Sequence, residues 1–206
     1  CYIFKLQENK LLDDIIFIIR SLGFNIHNDE YNNYYISGIF LYDIPSKYRH
    51  HIKIPTNKTN DNIMTTTTTT FKIKKYIKGE YYGFVIDKNH LFLLSDFSVV
   101  HNTGKCLSLG TPIIMFDGTI KKVEDIKKGN ILMGDNSQPR TVLSTCKGTD
   151  IMYEICQSKG SNYIVNEPHI LSLKSKNDII DISVRDYLTK SKKWKKKYKG
   201  YKVSIN

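Results

Sequence analysis

The stretch VVHNTGKCLSLGTPI, residues 99–113, brings two reactive groupings almost back to back. His101 and Asn102 are followed by the hydroxyl residue Thr103, and Cys106 comes after two intervening residues. A His-Asn pair before a hydroxyl residue is common by chance, but a cysteine that opens CLSLGTPIIMFDG is not. An imidazole, an amide, a hydroxyl and a thiol therefore share one short segment.

The composition around this stretch favours β-structure. Alanine, the best helix former, does not occur, while Ile, Tyr, Thr and Val are abundant. From Phe71 onward, short apolar runs alternate with Gly, Asp and Asn, which is typical of a β-rich, curled sheet. Helices are expected at residues 11–22, with acidic residues first and Arg20 last, and at about 184–190. The tract 65–70 is either a strand or a loop.

The four cysteines lie far apart and form no CxxC pair. This spacing indicates neither a structural zinc site nor a disulfide framework, and we predict no metal and no cofactor. We expect Cys146 and Cys156 to be buried apolar filler. No apolar run approaches the roughly 20 residues that a membrane span needs, and no signal-peptide pattern opens the sequence. We therefore expect an intracellular protein with no membrane partner.

The net charge of +11 indicates an acidic partner or nothing specific. Lysines are densest at residues 190–202, where Trp194, Tyr198 and Tyr201 are interleaved. Basic residues with stacking rings can hold a nucleic-acid backbone, although a solvated lysine-rich face is the commoner explanation. The candidate nucleic-acid contacts are Lys192, Lys193, Trp194, Lys195, Lys196, Lys197 and Lys199.

Most of the chain resembles the conserved blocks of inteins, the self-splicing elements of the hedgehog/intein superfamily. Residues 106–133 resemble the first block, and residues 163–173, YIVNEPHILSL, resemble the second. Residues 81–102 look like the last two blocks run together. Residues 15–45 are similar to the accessory, DNA-recognition-like segment of large inteins, but no LAGLIDADG endonuclease motif occurs. The resemblance implies a mainly β, horseshoe-like Hint splicing fold with a small α/β accessory subdomain.

The order of the blocks differs from that of the family. An intein begins with Cys and ends with His-Asn, whereas here His101 and Asn102 precede Cys106. The resemblance therefore implies a circularly permuted intein, in which a bridge spanning at most about 10 Å joins the two splice junctions. Before the bridge, we expect an accessory subdomain with the start of the splicing domain at 1–70 and a carboxy-terminal splicing segment at 71–102. The extein-derived bridge is 103–105. After it, we expect an amino-terminal splicing segment at 106–183 and a basic segment at the endonuclease insertion point, 184–206.

The resemblance assigns the first chemical step to three residues. Cys106 would attack the carbonyl of Lys105 and convert the peptide bond into a thioester. His169 is the candidate proton donor to the departing nitrogen. Asn166 stands where the family usually has Thr, and its amide would hydrogen-bond the scissile peptide.

Later steps fall to Thr103, the first residue of the bridge, and to residues before it. Thr103 would attack the thioester, with His90 as the candidate base, although Gly83 stands where the family often carries Asp. The side-chain amide of Asn102 would then attack its own carbonyl, form a succinimide and cut the chain. His101 would polarise that carbonyl or move the proton.

The implied partners are flanking extein sequences, in cis or in trans if the element is split, together with weak DNA binding. When the blocks are put back in the family's order, Gly-Lys precedes the element and Thr follows it. Gly-Lys-Thr is the end of a phosphate-binding P-loop. This raises the hypothesis of a nucleotide-hydrolysing host protein. Two alternatives stay open. One is a nucleic-acid-binding remnant of a homing endonuclease, and the other is a hedgehog-like autoprocessing domain, which shares the cysteine step but has no asparagine cyclisation.

Overall fold

The computed structural model describes residues 2–5, 10–21, 25–28, 33–37, 67–102, 106–176 and 178–203. The chain divides into two compact units, Cys1–Thr66 with Ser204–Asn206, and Thr67–Val203. The bridge at 103–105 lies outside the described residues.

The first unit contains a helix and an antiparallel sheet. Its described elements are β1 (Tyr2–Lys5), α1 (Lys10–Ser21), β2 (Asn25–Asn28) and β3 (Asn33–Ser37). Strand β3 lies between the other two. Asp13 in the first turn and Arg20 in the last complement the helix dipole. The helix predicted at 11–22 is confirmed to within one residue. No helix in the described part of the whole chain is long and apolar enough to cross a membrane.

The second unit consists mainly of strands, as the composition predicted. Its strands are β4 (Thr67–Thr69), β5 (Phe71–Ile86), β6 (Leu91–Leu93), β7 (Val99–His101), β8 (Leu107–Ser108), β9 (Pro112–Ile114), β10 (Ile120–Lys122), β11 (Ile131–Met133), β12 (Pro139–Gln157), β13 (Tyr163–Asn166), β14 (Ile170–Lys174), β15 (Ile179–Ser183) and β16 (Gly200–Lys202). Its described helices are α2 (Val184–Thr189), α3 (Lys192–Lys197) and the 3-10 turn Val123–Asp125. The mainly β fold is thereby confirmed.

A long antiparallel ribbon of β5 and β12 organises this unit. The ribbon runs from the pair Val142–Ile86 to the pair Gln157–Phe71. Strand β12 also pairs with β13, β13 with β8, and β8 with β5. Because this pairing returns to its starting strand, the sheet curls back on itself. The ribbon therefore joins segments that lie on either side of the bridge in sequence.

The core of the second unit is apolar and draws on both of these segments. Phe84 and Phe92, from before the bridge, pack edge-on with ring centroids 5.0 Å apart. Burying such a side chain contributes about 1.5–3 kcal/mol. Buried partners from beyond the bridge include Ile113, Ile114, Leu132, Val142, Ile155, Val165 and Leu173. The two segments thus fold around one shared core.

The described part of the basic segment pairs with the threonine tract. Strand β16 pairs with β4, so at least Thr67–Thr69 form a strand. The ring of Trp194 lies 4.6 Å from that of Tyr198 and 6.0 Å from that of Tyr187, and Tyr201 is buried. These rings pack towards the core. The aromatic residues among the lysines therefore support the fold instead of standing open to solvent.

Candidate functional site

Two hydrogen bonds join Cys106, just before β8, to Asn166 at the end of β13. The Cys106 N–H donates to Oδ1 of Asn166 at 3.2 Å, and the Asn166 N–H donates to the Cys106 carbonyl at 3.3 Å. Pairing of Val165 with Leu107 in the adjacent strands sets this register. Both residues are buried. The Cys106 N–H belongs to the peptide bond that the predicted first step breaks.

His169 lies on the turn that follows Asn166. Its N–H donates to the Asn166 carbonyl at 3.1 Å, and its own carbonyl accepts from Val184 at 2.9 Å. The side chain is buried, with 1% of its surface exposed. Asn166 and His169 therefore share one turn, and Cys106, predicted from a separate stretch of sequence, is hydrogen-bonded to Asn166.

The Cys106 thiol lies in an environment that disfavours its charged form. Burial raises its pKa, and the nearby Cys146 and Asp150 raise the pKa further. Asp150 also accepts a hydrogen bond from Nδ2 of Asn166 at 3.4 Å. This bond leaves Oδ1 of Asn166 turned towards the Cys106 N–H. The thiol is thus protonated at neutral pH and must lose its proton as it reacts.

Cys146 was expected to be buried filler, and this expectation is wrong. The residue is exposed, on the middle of the ribbon, and its Sγ lies 3.7 Å from the Cys106 Sγ. Cys156 is also not fully buried. Sequence reasoning missed the sulfur pair because it depends on strand register.

Gly83 on β5 faces Cys146 across the ribbon. A Cβ atom at Gly83 would lie 2.6 Å from the Cys106 Sγ and 3.1 Å from the Cys146 Sγ. The two sulfurs therefore occupy the space that a side chain would need. This gives a physical reason for glycine at this position of the chain.

His90, His101 and Asn102 lie together at one end of the β6–β7 hairpin. The Asn102 N–H donates to the His90 carbonyl at 2.7 Å, and the two imidazole centroids are 6.0 Å apart. His90 has a φ of +59°, in the left-handed region that non-glycine residues seldom adopt. Asn102 is 2% exposed. The predicted group of residues before the bridge is therefore also compact.

A close contact between His101 and Asp181 connects this hairpin with the segment beyond the bridge. The His101 Nε2 lies 3.4 Å from the Asp181 Oδ2. Asp181 is on β15, whose partner β14 begins directly after His169 and packs against β7. Asn102 and Cys106 are four residues apart, so their Cα atoms are separated by at most about 14 Å. Thr103 itself lies outside the described residues.

Residues 106–201 match the family model described as Hom_end-associated Hint. The chain is also 30% identical, over 107 residues, to the catalytic subunit of the V-type proton ATPase from Candida tropicalis. That alignment covers 47% of this chain and 10% of the relative, so the similarity concerns a small part of the ATPase protein. Together with the strand architecture, the family match supports an intein-like Hint element and shows the mainly β Hint fold.

The Hint match includes the lysine-rich helix α3. Three lysines in this part of the chain lie over aromatic rings: Lys190 over Trp194, Lys195 over Tyr187 and Lys197 over Tyr198, at 4.9–5.8 Å. Since the rings pack inwards and engage these ammonium groups, the stacking that would support nucleic-acid binding is not favoured. In the described residues, no group of three or more His, Cys, Asp or Glu is placed to hold a metal ion.

Proposed function

We propose that this chain is a circularly permuted intein that carries out autocatalytic protein splicing chemistry. One observation carries the proposal, namely the reciprocal hydrogen bonding of Cys106 and Asn166. It puts an amide oxygen on the N–H of the peptide bond that must break. The Hint match over residues 106–201 supports the same interpretation.

In the first step, the Cys106 sulfur attacks the Lys105 carbonyl. A C–S bond forms, the C–N bond breaks, and the departing nitrogen takes up a proton, for which His169 is the proposed donor. Because burial raises the pKa of the thiol, its proton leaves only as the sulfur attacks. Holding nucleophile and carbonyl in position lowers the barrier by several kcal/mol, up to roughly 7–11 in ideal cases.

In the later steps, the Thr103 hydroxyl attacks the thioester, with His90 as the proposed base. Asn102 then cyclises onto its own carbonyl and cuts the chain. The His101 imidazole, beside the Asp181 carboxylate, is suited to move the proton. Burial of Asn102 keeps water away, which favours cyclisation over hydrolysis.

The shared core and the β5–β12 ribbon support the permuted order, because residues 71–102 and 106–203 form one unit. In this order the segment to be joined is only Thr103-Gly104-Lys105. Complete splicing would require a nine-membered ring of strained amides, so we expect an intact or singly cleaved precursor.

The proposed partners are extein sequences in cis, or in trans if the element is split. The relative in Candida tropicalis is named as part of a proton ATPase. That name fits the hypothesis, drawn from Gly104, Lys105 and Thr103, of a nucleotide-hydrolysing host interrupted at a P-loop. The DNA-recognition-like role of the accessory segment also remains a proposal.

Hydroxylamine cleavage tests the proposed function, because hydroxylamine attacks thioesters and spares ordinary peptide bonds. We expect fragments 1–105 and 106–206 by intact mass, and their loss in Cys106→Ala. Asn102→Ala should keep this cleavage and lose the break after residue 102. Cys156→Ala is the matched control, since Cys156 pairs with Lys72 at the far end of the ribbon. Unchanged cleavage in Cys106→Ala would refute the proposal.

A further inference from the structure

The contact between the Cys106 and Cys146 sulfurs has no part in the three steps above. The two residues are 40 positions apart, yet their Sγ atoms are 3.7 Å apart. Strand β5 brings them together, because it pairs on one side with β8, which follows Cys106, and on the other with β12, which carries Cys146. Gly83 has no side chain, and the two sulfurs occupy the space that one would need.

The two sulfurs differ in their access to solvent. Cys106 is 2% exposed, whereas Cys146 is an exposed residue of the ribbon. The carbon of a thioester on Cys106 is bonded directly to that sulfur, so a thioester turned towards Cys146 comes within reach of the second sulfur. Reacting atoms about 3–3.5 Å apart are already close to the geometry of attack.

We propose that Cys146 is a second acyl acceptor, which takes the acyl chain from Cys106 and moves it from a buried to an exposed sulfur. This inference rests on the proposed function, because the first thioester must form on Cys106. Thiolates are better nucleophiles than the Thr103 hydroxyl, so the transfer competes with attack by Thr103.

The transfer is a thioester exchange and needs no oxidant or further reactant. The Cys146 thiol gives up its proton, and its sulfur attacks the thioester carbon. A new C–S bond to Cys146 forms while the C–S bond to Cys106 breaks. The electron pair leaves with the Cys106 sulfur, which takes up one proton. Burial raises the pKa of Cys106, and this favours the thiol form at the end of the exchange.

The product can be recognised chemically. While the acyl chain is on Cys106, this sulfur is blocked. After transfer, Cys106 presents an amine and a thiol on one residue, whereas the total mass of the chain is unchanged. A cyanobenzothiazole reagent condenses with such 1,2-aminothiols, so a full-mass chain that carries one label reports the transferred state.

The experiment uses residues 1–206 with Cys1→Ser, so that no cysteine stands at the first position of the chain tested, and with Thr103→Ala, which removes the competing acceptor. A phosphine keeps the thiols reduced without adding a thiol. We expect a labelled full-mass species in which Cys146 is protected from iodoacetamide. Cys146→Ala should lose this species completely, and Cys156→Ala, the matched control, should keep it.

Hydroxylamine cleavage, measured in parallel, separates the two proposals. Cleavage that persists in Cys146→Ala, together with loss of the labelled full-mass species, supports the transfer. Labelling that survives Cys146→Ala, or cleavage without any labelled full-mass species in the parent chain, overturns it. If neither chain is cleaved, the proposed function fails and the transfer fails with it.

Discussion

Cys106 and Asn166 are joined by a hydrogen bond in each direction, at 3.2 and 3.3 Å. The bond at 3.2 Å uses the Asn166 side chain and ends on the N–H of the bond between residues 105 and 106. A side chain in this position can hold the scissile amide in a strained orientation. The bond at 3.3 Å uses backbone atoms alone, so it remains whatever side chain stands at residue 166.

Asn166→Ala should slow hydroxylamine cleavage at Cys106 by roughly fivefold, because one hydrogen bond is worth about 1 kcal/mol. Cleavage after Asn102 should keep its rate. Asn162→Ala is the control, since the Asn162 side chain bonds Gln157 and Glu154 and not Cys106 among the described residues. Equal slowing in both variants would mean that Asn166 merely supports the sheet.

Gly83→Ala should destabilise the fold by about 1–3 kcal/mol, because the added Cβ would overlap the sulfurs of Cys106 and Cys146. Cleavage at Cys106 should slow as well. Gly79→Ala is a matched control on the same strand, where the nearest atom to a new Cβ is the Cγ of Met152 at 3.7 Å. Denaturant unfolding measures the free energy of unfolding of both variants. Equal values for the two would contradict the close packing of Gly83 against the two sulfurs.

The raised pKa of Cys106 predicts that its thiol stays protonated through pH of about 8.5, the ordinary range of cysteine. The Cβ resonance of labelled cysteine, followed by NMR during a pH titration, measures this directly. Because its folded pKa lies above its unfolded value, the thiol stabilises the fold at pH below the unfolded pKa. This stabilisation is lost as the pH rises through the folded pKa. Asp150→Asn should move the titration to lower pH. A Cys106 titration at the ordinary pKa would disprove the effect of burial.

Asp181→Asn should slow cleavage after Asn102, since the Asp181 carboxylate lies 3.4 Å from the His101 Nε2. Asp181 is partly exposed, so we expect a loss of no more than about 1 kcal/mol, or roughly fivefold in rate. Hydroxylamine cleavage at Cys106 should be unaffected. Asp178→Asn is the control, since the Asp178 carboxylate is on the same hairpin and accepts from the Ser175 hydroxyl. If Asp181→Asn slowed only the cleavage at Cys106, the assignment of Asp181 to the step at Asn102 would be wrong.

Asp96→Asn should cost about 3 kcal/mol of folding free energy. Asp96 is buried, its Oδ2 lies 2.6 Å from the Lys202 Nζ, and it accepts from the Ser98 and Ser161 N–H groups. Removing one partner of such a pair leaves the other charge buried and uncompensated. Asp117→Asn, on an exposed turn, should change stability by less than about 0.5 kcal/mol.

The same ion pair predicts sensitivity to acid. Burial raises the pKa of Asp96, but Lys202 and the bonds from Ser98 outweigh it, and the net shift is downward. A folded pKa below the unfolded one, about 3.9, gives stability that is present above this pH and lost as the pH falls through the folded pKa. The denaturant midpoint of the parent chain should therefore fall more steeply in acid than that of Asp96→Asn.

Local patterns predicted the elements whose signal lies within a short stretch of sequence. The helix α1, the helix α2 and most of the short strands agree with the sequence expectations because their apolar spacing and end residues are local. The ribbon of β5 and β12 could not be predicted from such local signals. Two of the short apolar runs beyond Phe71, at 142–144 and 153–156, belong to one strand of 19 residues, whose exposed polar middle gives no apolar signal.

The candidate site divides in the same way. Cys106, Asn166, His169 and Asn102 stand at family spacing and could be named from sequence. Cys146 and Asp181 could not, because only pairing between distant strands brings them to the reactive groups. The role of Gly83 likewise depends on what lies across the ribbon.

The ribbon of β5 and β12 also decides the fate of a chain broken between Asn102 and Cys106. Backbone hydrogen bonds and the common apolar interior would keep the two pieces associated after the covalent link is lost. A cleaved molecule should migrate as two bands under denaturing conditions and elute as a single particle in native buffer. Two separately produced polypeptides that correspond to these pieces should assemble into the same complex on mixing.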